Sequence, residues 1–464
     1  MNAPIPPFAK QKISAHDLKA LPIIEKWISF ASVSRDSNLP LIDWTQAYLE
    51  GFGITCHRTY DDTQQKSNLW ATIPSEDGEV FKNGIVLSGH TDVVPVDGQA
   101  WETDPFKAVI KNNLLWGRGV TDMKSFGATA LMMVPELIKR KLKRPVHLAF
   151  SYDEEVGCIG VRRLIDDMID KGYKPAGCIV GEPTGMQVVI AHKGKHAYKT
   201  TIQGFEAHSS LTPLGVNAVE IACEFVAYLK SMHQQLKANG PFDPIYDVPY
   251  TTIHTGVIQG GTALNIIPRL CEVTWEIRHH HLNSPEELFA KANAFADALV
   301  PAMQHVAPNT GISHELKSVL PNFNTAPDSE IAQLCFKCAD LDPAKGTGKV
   351  SFGTEAALFH QAGVPTIVCG PGFIAQAHQP NEWVSLEQLA WCERFMRRLA
   401  DEICVSQFKG NNHDSKKKNS RQCGGGSHVV RYSNGSCAIW QNDSYCCAFC
   451  CRWSARYFGA LHFY

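Results

Sequence analysis

The chain has 464 residues, 44% of them hydrophobic and 19% charged, with a formal net charge of −2. That length leaves room for two or three domains, and the composition is that of a soluble globular protein. With no basic stripe, nucleic acid is excluded as the main partner, and no apolar run reaches the length of a membrane span. Met1 to Gln11 holds three prolines and no apolar core of the signal-peptide kind, so a cytoplasmic location is expected.

In chain order, Ser14-Ala-His-Asp17 has the form of a capping box, and Leu18, Leu21, Ile24, Trp27 and Ile28 follow at helical spacing. A second helix is predicted over Pro40 to Phe52. Strands are predicted over Trp70 to Ile73 and Ile85 to Ser88, then a helix over Met123 to Leu142. Val146 to Tyr152 reads as a strand, Gly160 to Lys171 as a helix, and Ala176 to Gly181 as a strand. Strands alternating with helices in this way indicate a largely parallel, helix-covered sheet.

The pattern changes near His192. Alternating strands are predicted over Tyr198 to Gln203, Thr251 to Gln259 and Leu270 to Arg278, with helices over Val216 to Leu236 and Pro285 to Leu299. Such a run suggests helices packed on an antiparallel sheet. The α/β pattern returns with a strand over Gly363 to Val368 and a helix over Leu386 to Ile403. The expected architecture is an α/β domain in two parts, residues 1–191 and 305–405, interrupted by a smaller inserted α+β domain at 192–304.

Six of the 16 cysteines lie beyond residue 420, and the other ten sit singly in apolar segments, as buried free thiols do in a reducing compartment. Cys335 and Cys338 form a CxxC without a second pair, on an apparent helix, which reads as structural. Residues 406–464, with Lys416 to Lys418, Gly424 to Gly426 and a cysteine- and aromatic-rich end, support no packed core. They read as a disordered, non-native or out-of-frame extension, or else as a metal- or disulfide-bearing appendage, and no function is assigned to them.

Acidic and histidine groups recur where predicted strands and loops end. His90 and Asp92 follow one strand, Asp122 follows Leu115 to Thr121, and Asp153-Glu154-Glu155 follow another strand. Glu182 follows Cys178 to Gly181, and His378 lies in Gln376-Ala-His-Gln-Pro380. In an open α/β sheet, ligands collect beyond the carboxyl ends of the strands. Carboxylates crowded there require something positive, and two imidazoles with several carboxylates suit a pair of divalent ions, zinc first. A carboxylate bridging two ions gives one oxygen to each, and Asp122 is a candidate. Of two adjacent glutamates, one can bind metal while the other serves as a base.

The segments Ser88 to Pro95, Gly117 to Lys124, Asp153 to Glu155, Gly181 to Thr184 and Gln376 to Pro380 together resemble the dinuclear zinc deacylase and exopeptidase family. That family includes acetylornithine deacetylases, succinyl-diaminopimelate desuccinylases, aminoacylases and carboxypeptidases of this fold. The resemblance runs from about residue 15 to 404. Trp101 to Phe106, Ala191 to Gly194, Ala207 to Ser210 with Gly215 to Ala218, and Gly353 to Ala356 are most similar to its acetylornithine deacetylase branch.

The resemblance implies a ferredoxin-like inserted domain acting as lid and dimerisation unit, a homodimer, and two Zn2+ per subunit for which Co2+ can substitute. It implies His90 and Glu182 on one metal, Glu155 and His378 on the other, and Asp122 bridging them through a cis Asp122–Met123 peptide. Met123 stands where many relatives carry Asp or Gly. Asp92 would accept the second imidazole N–H of His90, Glu154 would be the general base, and His208 would reach in from the partner subunit to meet the oxyanion. Asn265 and Arg278 resemble a pair that binds the substrate α-carboxylate, although a surface role for Arg278 is the alternative. Glu355 would meet the δ-ammonium of ornithine or cap the helix after it. The implied reaction is hydrolysis of N2-acetyl-L-ornithine to L-ornithine and acetate in arginine biosynthesis. The alternatives are a related N-acyl-amino-acid deacylase, desuccinylase or dipeptidase, and more remotely a non-catalytic dimeric binding protein.

Overall fold

The structure is a computed structural model that describes residues 13–345 and 348–404. The expectations for 406–464 lie outside the described residues. Helices α1 (Leu21–Ile28) and α2 (Leu39–Glu50) lead into strands β1 (Cys56–Tyr60), β2 (Ser67–Ile73) and β3 (Ile85–His90). The strands β4 (Val109–Lys111) and β5 (Leu114–Trp116) precede α3 (Lys124–Lys139), β6 (Val146–Ser151), α4 (Ile159–Asp170), β7 (Gly177–Pro183) and β8 (Val189–His192). Next come β9 (Gly194–Gln203), α5 (Ala218–Asn239), β10 (Thr252–Gly260), β11 (Leu270–His279), α6 (Pro285–Val306) and β12 (Gly311–Leu320). The last part holds β13 (Phe323–Asn324), α7 (Glu330–Ala339), β14 (Gly348–Val350), α8 (Ala356–Gln361), β15 (Thr366–Gly370), β16 (Trp383–Ser385) and α9 (Leu386–Ile403).

The large sheet runs β1-β2-β6-β3-β7-β15-β8-β13, with β14 paired to β8. Its centre is parallel, β6, β3, β7 and β15 in order, and antiparallel strands flank it. Alternate residues of each strand face opposite sides. Ile85 and Leu87 join Trp27, Phe126 and Phe150 under α1, α3 and α9, whereas Val86, Ala149 and Val180 meet α4 and α8 on the other face. Close packing of α3 depends on Gly181, where an added Cβ would lie 1.9 Å from the Phe126 ring.

The second sheet has the order β10-β11-β9-β12 and is antiparallel throughout. The chain order β9-α5-β10-β11-α6-β12 is the split βαβ arrangement of ferredoxin-like units. Trp275, Phe225 and Tyr198 centre its core. The expected end of this segment at 304 needs correction, because β12 completes its sheet by pairing with β9 up to Leu320.

Two local readings also change. The capping box at Ser14 closes a 3-10 turn at Ala15–Asp17, and α1 starts only at Leu21, with Pro22 in its first turn, where a missing N–H costs nothing. Of the ten described cysteines, all free, Cys223 is exposed and Cys56 half-buried. Cys335 and Cys338 are buried in α7.

The core also holds a pH-sensitive group. His147 on β6 is buried, its Nδ1 2.9 Å from Thr72 Oγ1 and its Nε2 without a partner. Burial pushes this imidazole from 6.5 down to about 4. The unfolded chain therefore takes up this proton at a higher pH than the folded one. Stability is full above the unfolded value and falls as pH drops from 6.5 to about 4. The denaturation midpoint should fall between about pH 7.5 and about pH 5, and the fall should be smaller in His147→Gln. An equal fall in both proteins would show that His147 contributes nothing to it.

Candidate active site

The four parallel strands at the centre of the large sheet end on one rim. His90 is the last residue of β3, Glu154 and Glu155 follow β6, Glu182 lies near the end of β7, and His378 stands in the loop after β15. Asp122 arrives from outside the sheet, in the turn between β5 and α3, and its peptide bond to Met123 is cis. Asp153 and His378 adopt left-handed backbone, with φ of 54° and 62°, a conformation that costs energy in non-glycine residues and clusters at functional sites.

Asp122 lies between the two imidazoles. Its Oδ1 is 3.0 Å from His90 Nε2 and its Oδ2 is 3.1 Å from His378 Nε2. His90 Nε2 is also 3.7 Å from Glu182 Oε1, and His378 Nε2 is 3.0 Å from Glu155 Oε2. Two sets of ligand atoms fall within 4.8 Å of one another: His90, Glu154 and Glu182, and His90, Asp122 and Glu155. Glu154 is therefore near enough to ligate as well as to act as a base. Cys158 donates its thiol hydrogen to Glu154 Oε1 at 3.2 Å.

Four carboxylates and two imidazoles leave an excess of negative charge even with both rings protonated. Burial, with Asp122 and Glu154 nearby, raises the Glu182 carboxyl well above its ordinary range. Burial also raises Glu155, and it pushes Glu154 up to about 8. Asp122 goes the other way: burial opposes its ionisation, but the bonds from His378 and His90 outweigh this and hold it low. His378 rises to about 10 through its bonds to Asp122 and Glu155. Carboxyls raised together in this way mark charge that lacks a positive partner.

The donor set fits divalent metal. Ligand atoms about 2.0–2.1 Å from a shared tetrahedral ion stand roughly 3.3 Å apart, and the separations here, 3.0 to 3.7 Å, bracket that value. Each Asp122 oxygen faces a different imidazole, as a bridging carboxylate requires.

Asp92 differs from expectation. The N–H partner of His90 Nδ1 is the Asp92 backbone carbonyl at 2.9 Å, while the nearer carboxylate oxygen is 3.6 Å away. That carboxylate instead accepts from Ser34 Oγ at 2.7 Å and from the backbone N–H groups of Glu154 at 3.1 Å and Glu155 at 3.4 Å. It shapes the turn that presents both glutamates. Lys66 supports the same turn, donating to both oxygens of Asp153 at 2.7 and 2.8 Å.

Glu355 also departs from both readings. It is fully buried, with one oxygen accepting from Ser88 Oγ at 2.7 Å and the other from Ser151 Oγ at 2.6 Å, and its side chain caps no helix. Both of its oxygens are engaged by serines of β3 and β6. These bonds tie β3 to β6.

His208, Asn265 and Arg278 have their described hydrogen bonds outside the cluster. His208 is exposed and bonded to Ser210, and Asn265 is exposed in the facing loop, where its carbonyl accepts from Ser209 N at 3.0 Å. Arg278 lies at the opposite end of β11, its Nε 2.9 Å from Glu276. Asn265 lies before the start of β11 at Leu270, and at about 3.4 Å per residue the eight steps from Leu270 to Arg278 alone span roughly 27 Å. Within one chain the two do not form the expected pair.

Glu382 was not singled out by the sequence reading. It is buried, its carboxylate pairs with Arg118 at 2.8 Å, and it accepts the N–H groups of Gly119 at 3.1 Å, Thr121 at 2.8 Å and Asp122 at 3.1 Å. The available signal was an acid four residues past His378, followed by an apolar strand.

A three-layer α/β domain, its sheet covered by helices on both faces, with a ferredoxin-like insertion and with imidazoles and carboxylates on the rim of the parallel strands, is the framework of a class of hydrolase that cleaves amide bonds. The sequence profile of Peptidase family M20/M25/M40 matches residues 86–402, and the chain belongs to that family. It is 31% identical over 408 residues to the acetylornithine deacetylase of Photorhabdus laumondii, covering 88% of this chain and 100% of that one. Its fold is shared with a tripeptidase from Staphylococcus aureus, with a TM-score of 0.64 and 17% identity over 83% of this chain and 98% of the other. A dinuclear metal-binding peptidase of Bacillus subtilis aligns with a TM-score of 0.57 and 14% identity, covering 83% and 98%.

Proposed function

We propose that this chain removes the acetyl group from N2-acetyl-L-ornithine, giving L-ornithine and acetate, with two divalent ions in the cluster around Asp122. The observation that carries the metal reading is Asp122 itself, with one oxygen toward each imidazole at 3.0 and 3.1 Å. The substrate reading is supported by 31% identity across the whole length of a relative that bears this activity in its name.

His90 and Glu182 would hold one ion and Glu155 and His378 the other, with Asp122 as the ligand common to both. Zinc is the expected metal, with cobalt as a substitute. When bound, such ions polarise the amide carbonyl and acidify water. Glu154 takes the proton released by the attacking water and returns it to the departing amine. Asp92 holds Glu154 and Glu155 by their backbone. Arg278 receives the substrate carboxylate with its forked donors.

His208 and Asn265 reach this site from a second copy of the chain. A homodimer through the small sheet is supported by its edge strand β10 and by the exposed Leu211, Leu214, Val257, Ile258 and Leu264 around it. The reading carries with it a place in arginine biosynthesis in the cytoplasm. Among the described residues no helix is long and apolar enough to cross a membrane.

The test is kcat/KM for N2-acetyl-L-ornithine, N-acetyl-L-methionine and N-succinyl-diaminopimelate. The first should exceed the others by about tenfold or more, a difference of about 1.4 kcal/mol in transition-state binding. A higher value for either of the others would assign the chain to another branch of the family.

A further inference from the structure

The metal ligands differ in what holds them. His90 and Glu182 lie on the paired strands β3 and β7 of the large sheet. Asp122 and His378 lie on loops outside it, and His378 has a side chain 53% exposed on left-handed backbone. Something other than the sheet must set the spacing between those two loops.

A continuous set of contacts joins them. Glu382 accepts Asp122 N at 3.1 Å and pairs with Arg118 Nη1 at 2.8 Å. Arg118 donates onward from Nη1 to Gln379 O at 3.3 Å and from Nη2 to Gln99 Oε1 at 2.7 Å. Gln99 Nε2 then donates to the backbone carbonyl of His378 at 3.1 Å. Trp101 fixes Gln99 through its indole N–H at 3.0 Å, and the Arg118 guanidinium lies 5.1 Å from the Trp101 ring. Arg118 and Glu382 are each 1% exposed, so the pair is screened little by solvent.

We infer that Glu382, Arg118 and Gln99 form a positioning clamp that holds Asp122 and His378 at the separation the second metal requires, leaving the His90–Glu182 position to the sheet. None of the three is a ligand in this arrangement. Each acts through a backbone group of a ligand or of its loop. The inference rests on the two-metal reading proposed above.

The test is Zn2+ titration of metal-free protein by calorimetry, with elemental analysis after gel filtration, for wild type, Glu382→Gln and Gln99→Ala. Wild type should take up two ions. Gln99→Ala, which loosens only the His378 loop, should keep the first and bind the second at least about tenfold more weakly, in the range found for residues that support metal ligands, and Glu382→Gln, which loosens the bridging Asp122, should weaken the second ion more than the first. Gln99→Ala removes only the outermost link and leaves the buried ion pair intact, so it remains informative where Glu382→Gln does not fold. Two ions bound by Gln99→Ala with wild-type affinity would overturn the clamp, as would equal weakening of both. Wild type that binds fewer than two ions would overturn the metal reading and the clamp with it.

Discussion

Glu154→Gln should lower kcat on N2-acetyl-L-ornithine by a factor on the order of 10²–10⁴, the range that a positioned general base contributes, while both metal ions remain bound. The glutamine keeps the shape and the acceptor for the Cys158 thiol, which meets Oε1 at 3.2 Å, but it cannot take a proton. Measuring kcat and metal content on the same preparation separates the two roles open to this residue. The Glu154 carboxylate lies within 4.8 Å of the ligand atoms of His90 and Glu182. If it served as a ligand, the substitution would cost metal as well as turnover. Near-normal turnover with metal retained would remove it from the chemistry.

The convergence of the site was legible for its strand-borne members, because each of these follows an apolar run in the sequence. His90 closes β3, Glu154 and Glu155 follow β6, and Glu182 lies near the end of β7. The inserted unit was legible in the alternation of β9 and β11, buried at every second residue. Its last strand was not. β12 is largely exposed and carries no such alternation, so only its pairing with β9 defines it. The three-residue strands β4, β5 and β16 are likewise too short to show a period.

Other misses have one physical cause, which is that distant partners decide what a polar side chain does. Glu355 lies 267 residues from Ser88 and 204 from Ser151, yet these two bonds determine its place. The Glu382 carboxylate organises backbone groups about 260 positions earlier. For Asp92, spacing from His90 is the same whether the carbonyl or the carboxylate answers the imidazole. The backbone chose the carbonyl, and the freed carboxylate went to the N–H groups of Glu154 and Glu155.

The second large effect concerns the metal. Four carboxyl groups share this rim with two imidazoles, and burial raises three of them, Glu154, Glu155 and Glu182. Removing the ions takes away the Lewis acid that polarises the amide, worth several kcal/mol and so a factor of about 10³ or more in rate. It also leaves the acidic groups facing each other, so the stripped protein should unfold at a lower temperature. The measurement is release of L-ornithine from N2-acetyl-L-ornithine by protein dialysed against a chelator, before and after Zn2+ is returned. The stripped protein should give no detectable release, with full recovery at two ions per chain. Undiminished release by protein that elemental analysis shows to be free of divalent metal would contradict it.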